Sequence, residues 1–244
     1  MNFLSKILLV LVFFSVSYAQ SGFPDEYYKM SSKKAKDFFF EYFEKRIEIE
    51  NIKILADRLF IKSLEKSPLP IKGSLEYEKL EFLQKRYKIQ DIFDYPKYIK
   101  RIDIVPPSMA LAQAATESGW GKSRFFKEAN NIFGHWTYNP KIGMVPLDRP
   151  EGKRHLVRVF ATLEDSIAAY MLNLNRTSAY KNFRTLRENM RNSKIFINGL
   201  SLSATMTKYS GIGHDYVKIL QSIITKNKLI EYDIKFFEKI KNLD

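Results

Sequence analysis

No cysteine occurs anywhere in the 244-residue chain. That excludes disulfides, thiolate-held metals, a cysteine nucleophile and lipid attachment through cysteine. Histidine is nearly as scarce. The three histidines, His135, His155 and His214, are too scattered to suggest a metal site, and no HExxH pair exists. Among the ten glycines, Gly211-Ile212-Gly213 lacks the third glycine of a dinucleotide loop and follows no strand-like run. Neither a metal nor an organic cofactor is therefore expected. Acidic residues are also short: 27 Asp and Glu face 40 Lys and Arg, for a formal charge of +13. Such a balance attracts polyanions, whether nucleic acid, membrane surface or anionic wall polymer.

Long apolar runs are missing too. Residues 7–16 (ILLVLVFFSV) form a continuous apolar stretch, short of the roughly 20 residues of a spanning helix. Lys6 precedes it, and Ser17-Tyr18-Ala19 follows with small residues at both ends. This order predicts a secretory signal peptide cleaved after Ala19, with an uncleaved N-terminal anchor as the alternative. A periplasmic or secreted location follows, and with it an anionic envelope surface rather than nucleic acid as the partner of the basic charge.

What is present is mostly helical. From Ser31 to about Glu65, Phe40, Ile47, Ile54 and Ile61 fall seven apart, with Phe43, Leu55 and Leu59 widening the stripe. One long helix is expected, stopped at Ser67-Pro68; a coiled-coil dimer is the alternative, weakened by Glu50 and Asp57. Leu75, Leu80, Leu83 and Tyr87 predict a second helix, and 92–104 a short one. Pro106-Pro107-Ser108 opens a further helix that Gly119 and Gly121 end. Thr162 and Asp165 resemble a capping box opening the next. Residues 144–147 and 156–160 flank a turn at 148–152, the pattern of a β-hairpin. Residues 216–226 predict one more helix. The expected architecture is α+β and mostly α. It divides into a signal peptide (1–19), an N-terminal helical extension (20–104), the main domain (105–230) and a solvated, Lys-rich C-terminal tail (231–244).

The strongest chemical signal is residues 112–121, AQAATESGWG. Glu117 ends an apolar, alanine-rich helix, where nearby carbonyls carry partial negative charge. Burial beside Trp120 would remove water. Both effects raise a carboxyl pKa, as a general acid for a glycosidic oxygen requires. Taken alone, the same residue is more often a solvated glutamate at a helix end, the commonest setting of this side chain.

The wider context decides between these readings. LAQAATESGWGKSRF, NNIFGHW, EGKRHLVRVF, SIAAYMLNLNRTSAY and KYSGIGHDYVKIL follow one another in order over residues 106–229. The set resembles the glucosaminidase domains of glycoside hydrolase family 73, in its Bax-type branch. The resemblance implies a lysozyme-like fold and hydrolysis of the β-1,4 bond after N-acetylglucosamine in peptidoglycan glycan strands. It implies Glu117 as the catalytic acid. It places Asn130, Asn131, Phe133 and Trp136 along the cleft, with Tyr170 and Tyr180 at the family's aromatic positions. Tyr209 and Tyr216 match a tyrosine pair, with Tyr209 expected to hydrogen-bond near the acetamide or the reacting centre. Sugar rings present C–H faces that suit such aromatics. A partner carboxylate is expected on the hairpin tip, from Asp148 or Glu151, with Glu151 preferred; otherwise the substrate's own acetamide serves as nucleophile. Two other functions stay open: a lytic transglycosylase on the same glycan, and a non-catalytic wall-binding protein.

Overall fold

The computed structural model describes residues 22–147, 149 and 151–241. The expected signal peptide and Asp148 lie outside them. The long stripe forms α1 (Ser32–Leu64), a helix of 33 residues. Leu75–Tyr87 is α2, capped by the Ser74 side chain, and Tyr95–Arg101 is α3, capped by Asp94. The apolar stripe of α1 packs on α3 and on two helices further along the chain. That burial within the same chain uses up the face a coiled-coil dimer would need.

At the centre stands α4 (Pro107–Glu117), where Pro107 through Ala115 are all buried. Four of the eleven residues are alanines, so neighbouring backbones can approach closely. The chain continues through α5 (Arg124–Ala129), β1 (Trp136–Thr137), β2 (Gly143–Met144), β3 (Leu156–Arg158), α6 (Leu163–Arg176) and α7 (Lys181–Asn192). It closes with α8 (Gly199–Ser203), α9 (His214–Lys226) and α10 (Ile230–Ile240). Helices α1, α8, α9 and α10 surround α4. The Thr162–Asp165 capping box opens α6 as expected. This is a mostly α, α+β architecture of lysozyme-like type: a buried helix ending in a glutamate beside a small antiparallel sheet.

The expected hairpin differs in detail. Strand pairing is limited to Gly143↔Arg158 and Met144↔Val157, so residues 145–147 leave the sheet. A third strand, β1, pairs on the other edge of β3 through Trp136↔Val157 and Thr137↔Leu156. Its two residues are too few for a period to register in a sequence.

The C-terminal tail is a correction. Residues 231–240 lie in α10, which buries Asp233, Phe236 and Ile240. Asp233 accepts hydrogen bonds from Ser108 N (2.8 Å), Ser108 Oγ (2.5 Å) and Gly199 N (2.9 Å). The first turn of α4 has no side-chain cap of its own, so a carboxylate from α10 satisfies it across the fold. Gly199 is part of this junction. A Cβ there would stand 2.2 Å from Ser108 Oγ and 2.4 Å from Met109 N.

A second buried carboxylate organises the other end of the extension. Asp103 faces Arg58 at 3.6 Å, Arg187 at 3.9 Å and Arg191 at 2.6 Å. Burial alone would raise its pKa, but Arg187, Arg58 and Arg191 outweigh burial and hold it down at about 2. Arg187, fully buried, also donates to the carbonyls of Asp103 and Ile104. The core runs without interruption from Phe23 to Ile240, so the extension and the main domain share it.

Candidate active site

Helix α4 ends at Glu117 because the backbone turns left-handed immediately afterwards. Gly119, Trp120 and Gly121 all have positive φ, at 56°, 58° and 70°. The Trp120 amide closes the turn on Ala115 O at 2.8 Å. A non-glycine residue in this region is strained, and the N-terminal segment holds it there. Tyr27 Oη donates to Trp120 O at 2.7 Å and Tyr28 Oη to Gly121 O at 3.1 Å. The Trp120 ring packs edge-on against Phe39 and Phe40 of α1, with centroids 5.5 Å away. A Cβ on Gly121 would lie 2.3 Å from Phe23. This glycine, expected to end the helix, therefore also makes room for the N-terminal strap.

Glu117 is half-buried, and the aromatic residue bonded to it is Tyr216 rather than Trp120. Tyr216 Oη donates to Glu117 Oε1 at 2.7 Å. Gln113, one turn back on α4, donates from Nε2 to Tyr216 Oη at 3.1 Å. Tyr170 Oη in turn donates to Gln113 Oε1 at 2.6 Å. The chain of donors runs Tyr170, Gln113, Tyr216, Glu117, each polarising the next. Burial raises the Glu117 pKa, and the Tyr216 bond opposes this without cancelling it. Oε2 lies against Gly134, where a Cβ would stand 3.3 Å away. Gly134 has a φ of 67°, so a side chain is disfavoured by conformation as well as by space.

Gly134 belongs to the lining of a groove of about 700 Å³. Phe133, Trp136, Tyr180 and Tyr209 line it as well. Phe133 stacks on Tyr170 at 3.9 Å, and Tyr209 on Tyr216 at 5.6 Å. The five expected aromatics Phe133, Tyr170, Tyr180, Tyr209 and Tyr216 thus form one group beside Glu117. Tyr170 and Tyr216 sit behind the groove wall. Tyr209 reaches Phe133 O at 3.1 Å, so the tyrosine on the carboxyl is its stacking partner Tyr216. Trp136 is the exposed member, at 64%, and stacks on His155 at 4.3 Å.

Asn130 and Asn131 are buried and bind main chain. Asn130 donates to the carbonyls of Phe160 and Ala161, both at 3.2 Å. Asn131 donates to those of His135 and Arg158, both at 2.8 Å, and accepts from His135 N at 2.9 Å. They shape the turn that carries Gly134. Glu151 is exposed in the loop between β2 and β3, outside the groove lining. The carboxylate in that lining is Asp165, whose Oδ2 caps α6. Among the described residues, no cluster of three or more His, Asp or Glu side chains could hold a metal ion.

A half-buried carboxyl with one oxygen held by a phenol and the other against Gly134, a glycine of the groove wall, has the character of a proton donor. The comparisons with known proteins agree with this chemistry. The glucosaminidase family, described as mannosyl-glycoprotein endo-beta-N-acetylglucosaminidase, matches residues 94–229. The chain belongs to this family. It is also 28% identical over 213 residues to "Protein bax" of Escherichia coli (strain K12), covering 85% of this chain and 75% of that protein. No solved structure matches it significantly. The chain is thus a glycosidase-type enzyme acting on a glycan. The glucosaminidase match begins at residue 94, within the segment read from sequence as the extension.

Sequence reasoning passed over Gln113 and Gly134. Gln113 carries a usable signal, because residues four apart share a helix face. Gly134 carries none, because its role depends on where the chain after α5 returns.

Proposed function

We propose that this chain is an exported peptidoglycan hydrolase that cleaves the β-1,4 bond after N-acetylglucosamine, with Glu117 as the general acid. The observation that carries the reading is the Glu117 carboxyl itself: raised by burial, fixed at Oε1 by Tyr216, and set with Oε2 against Gly134 in the groove wall. Glu117 gives its proton to the glycosidic oxygen as the C1–O bond breaks, and the bonding pair leaves with that oxygen. The positive charge at C1 is met either by a carboxylate or by the carbonyl oxygen of the substrate's acetamide. Glu151 is the candidate carboxylate. Its place outside the groove lining favours the acetamide. Water then adds at C1. The basic surface, with the net charge of +13, holds the enzyme on an anionic envelope.

Glu117→Gln keeps shape and loses the proton. General acids contribute about 10²–10⁴-fold, so cleavage of purified glycan strands should fall by at least about 100-fold while the melting temperature holds. Near-native turnover in the folded variant overturns the assignment. Product masses separate hydrolysis from transglycosylation: an anhydro end group indicates the latter. A native protein that binds the strands and never cuts them is a wall-binding protein.

A further inference from the structure

Three arginines, Arg86, Arg158 and Arg176, line the groove together with His135, against Asp165 as the acidic residue. Asp165 is already engaged by the Thr162 amide and hydroxyl. Arg86 is partly balanced by Glu50 at 3.8 Å. The other two have no ion-pair partner among the described residues. The Arg158 guanidinium lies over the Phe160 ring at 4.5 Å, and its Nε is buried without a hydrogen-bond acceptor. Arg176 donates only to a neutral group, Arg86 O, at 3.2 Å. Burial, Arg86 and Arg158 all lower the Arg176 pKa, which is the signature of like charges gathered without a counter-charge. Burial and Arg158 also push His135 down to about 4. At neutral pH its imidazole is uncharged and adds hydrogen-bonding capacity rather than more repulsion. Both of its ring nitrogens are buried without a partner.

Gathering cations in a groove costs free energy unless the ligand supplies the anion. Planar guanidinium forks match carboxylates. The same groove offers Phe133, Trp136, Tyr180 and Tyr209 to sugar faces. We propose that Arg158 and Arg176, backed by Arg86, form a carboxylate-binding subsite in the groove whose wall Gly134 shares with Glu117, and that it selects glycans carrying a carboxylate-bearing substituent. The inference rests on the peptidoglycan reading above and deepens it. On such a glycan the carboxylate belongs either to the lactyl ether of muramic acid or to the peptide stem attached there.

The test is equilibrium binding, so it does not depend on turnover. Glu117→Gln protein is titrated with stem-bearing glycan fragments, stem-free fragments with free lactyl carboxylates, and the same stem-free fragments with carboxyls reduced to alcohols. A charge-assisted hydrogen bond is roughly twice as strong as a neutral one. The native groove should therefore prefer at least one charged fragment over the reduced one by about 10-fold or more. Preference for the stem-free acid assigns the subsite to the lactyl group, and preference for the stem-bearing form alone assigns it to the peptide. Arg158→Gln and Arg176→Gln, each on that background, should bring the ratio toward one, and Arg158→Lys should keep part of it. Because every ratio is internal to one protein, lower stability does not imitate the result, and Arg176→Gln is read separately if Arg158→Gln does not fold. Equal affinity for charged and reduced fragments, or a ratio unchanged in both glutamine variants, overturns the subsite. Loss of cleavage in the Glu117 variant has no bearing on this outcome.

Discussion

Replacing Tyr216 with Phe removes one oxygen from the site and leaves the ring stacked on Tyr209. The lost hydroxyl donates to Glu117 Oε1 at 2.7 Å and accepts from Gln113 Nε2 at 3.1 Å. A hydrogen bond to a charged acceptor contributes ~1.5–3 kcal/mol and one to a neutral acceptor ~0.5–1.5. The Tyr216 bond therefore favours the carboxylate over the carboxylic acid by about 1–1.5 kcal/mol, which is about one pKa unit. Removing it adds to the upward push of burial. An acid must be protonated to act, so activity is lost as pH rises through the Glu117 pKa. The alkaline limb of the pH–rate profile should move up by about one unit. A second reading, the ¹³C shift of the Glu117 carboxyl against pH, needs no turnover and should move the same way. The buried Gln113 amide loses its acceptor, which costs about 1–3 kcal/mol; at roughly 2–4 °C per kcal/mol for a chain of this size, the melting temperature should fall by about 2–12 °C. An alkaline limb that stays put or moves down, in a folded variant, refutes the argument that Tyr216 tunes Glu117. A merely structural tyrosine would lower the melting temperature and leave the limb alone.

The remaining predictions concern the scaffold and the N-terminus. Asp103 is held at about 2 by its three arginines, below the ordinary value of roughly 3.9. Its contribution is therefore present above about pH 4 and lost as pH falls toward 2. Asp103→Asn should destabilise the protein by about 3–5 kcal/mol at neutral pH, since it strands buried guanidinium groups, and should flatten the loss of stability over that acid range. A denaturant midpoint near the native one would show that the arginines find other partners. Export with cleavage after Ala19 predicts that protein recovered from the envelope begins at Gln20 on N-terminal sequencing. Intact Met1 on protein from the cytoplasm would remove the export step from the proposal.

Much of this molecule was written locally. The stripe of α1, the capping box of α6, the proline-opened helix α4 and the glutamate at its end are legible because each depends on residues within a few turns of one another. The ordered motifs over residues 106–229 pointed to the glucosaminidase family for the same reason. Other features depend on distant segments meeting, and no local pattern carries them. Residues 231–244 look like a lysine-rich tail, yet Asp233 becomes the cap of α4, because an uncapped helix start and a buried carboxylate satisfy each other only once both are placed. Gly121 reads locally as a helix stop, and only the fold brings Phe23 into the space it leaves. Trp120 was the natural neighbour for Glu117 in sequence. The left-handed turn sends its ring to α1 instead, and the partner arrives from α9, 99 residues away. The arginines of the groove were three charges among 40. Only the packing of α2, β3 and α6 around one space set Arg86, Arg158 and Arg176 side by side. The sequence by itself determined the helices with a local signature, among them α1, α4 and α6, and the glutamate that ends α4. The fold alone decided what stands next to that carboxyl, because contact energies between distant segments arise only when the chain has closed on itself.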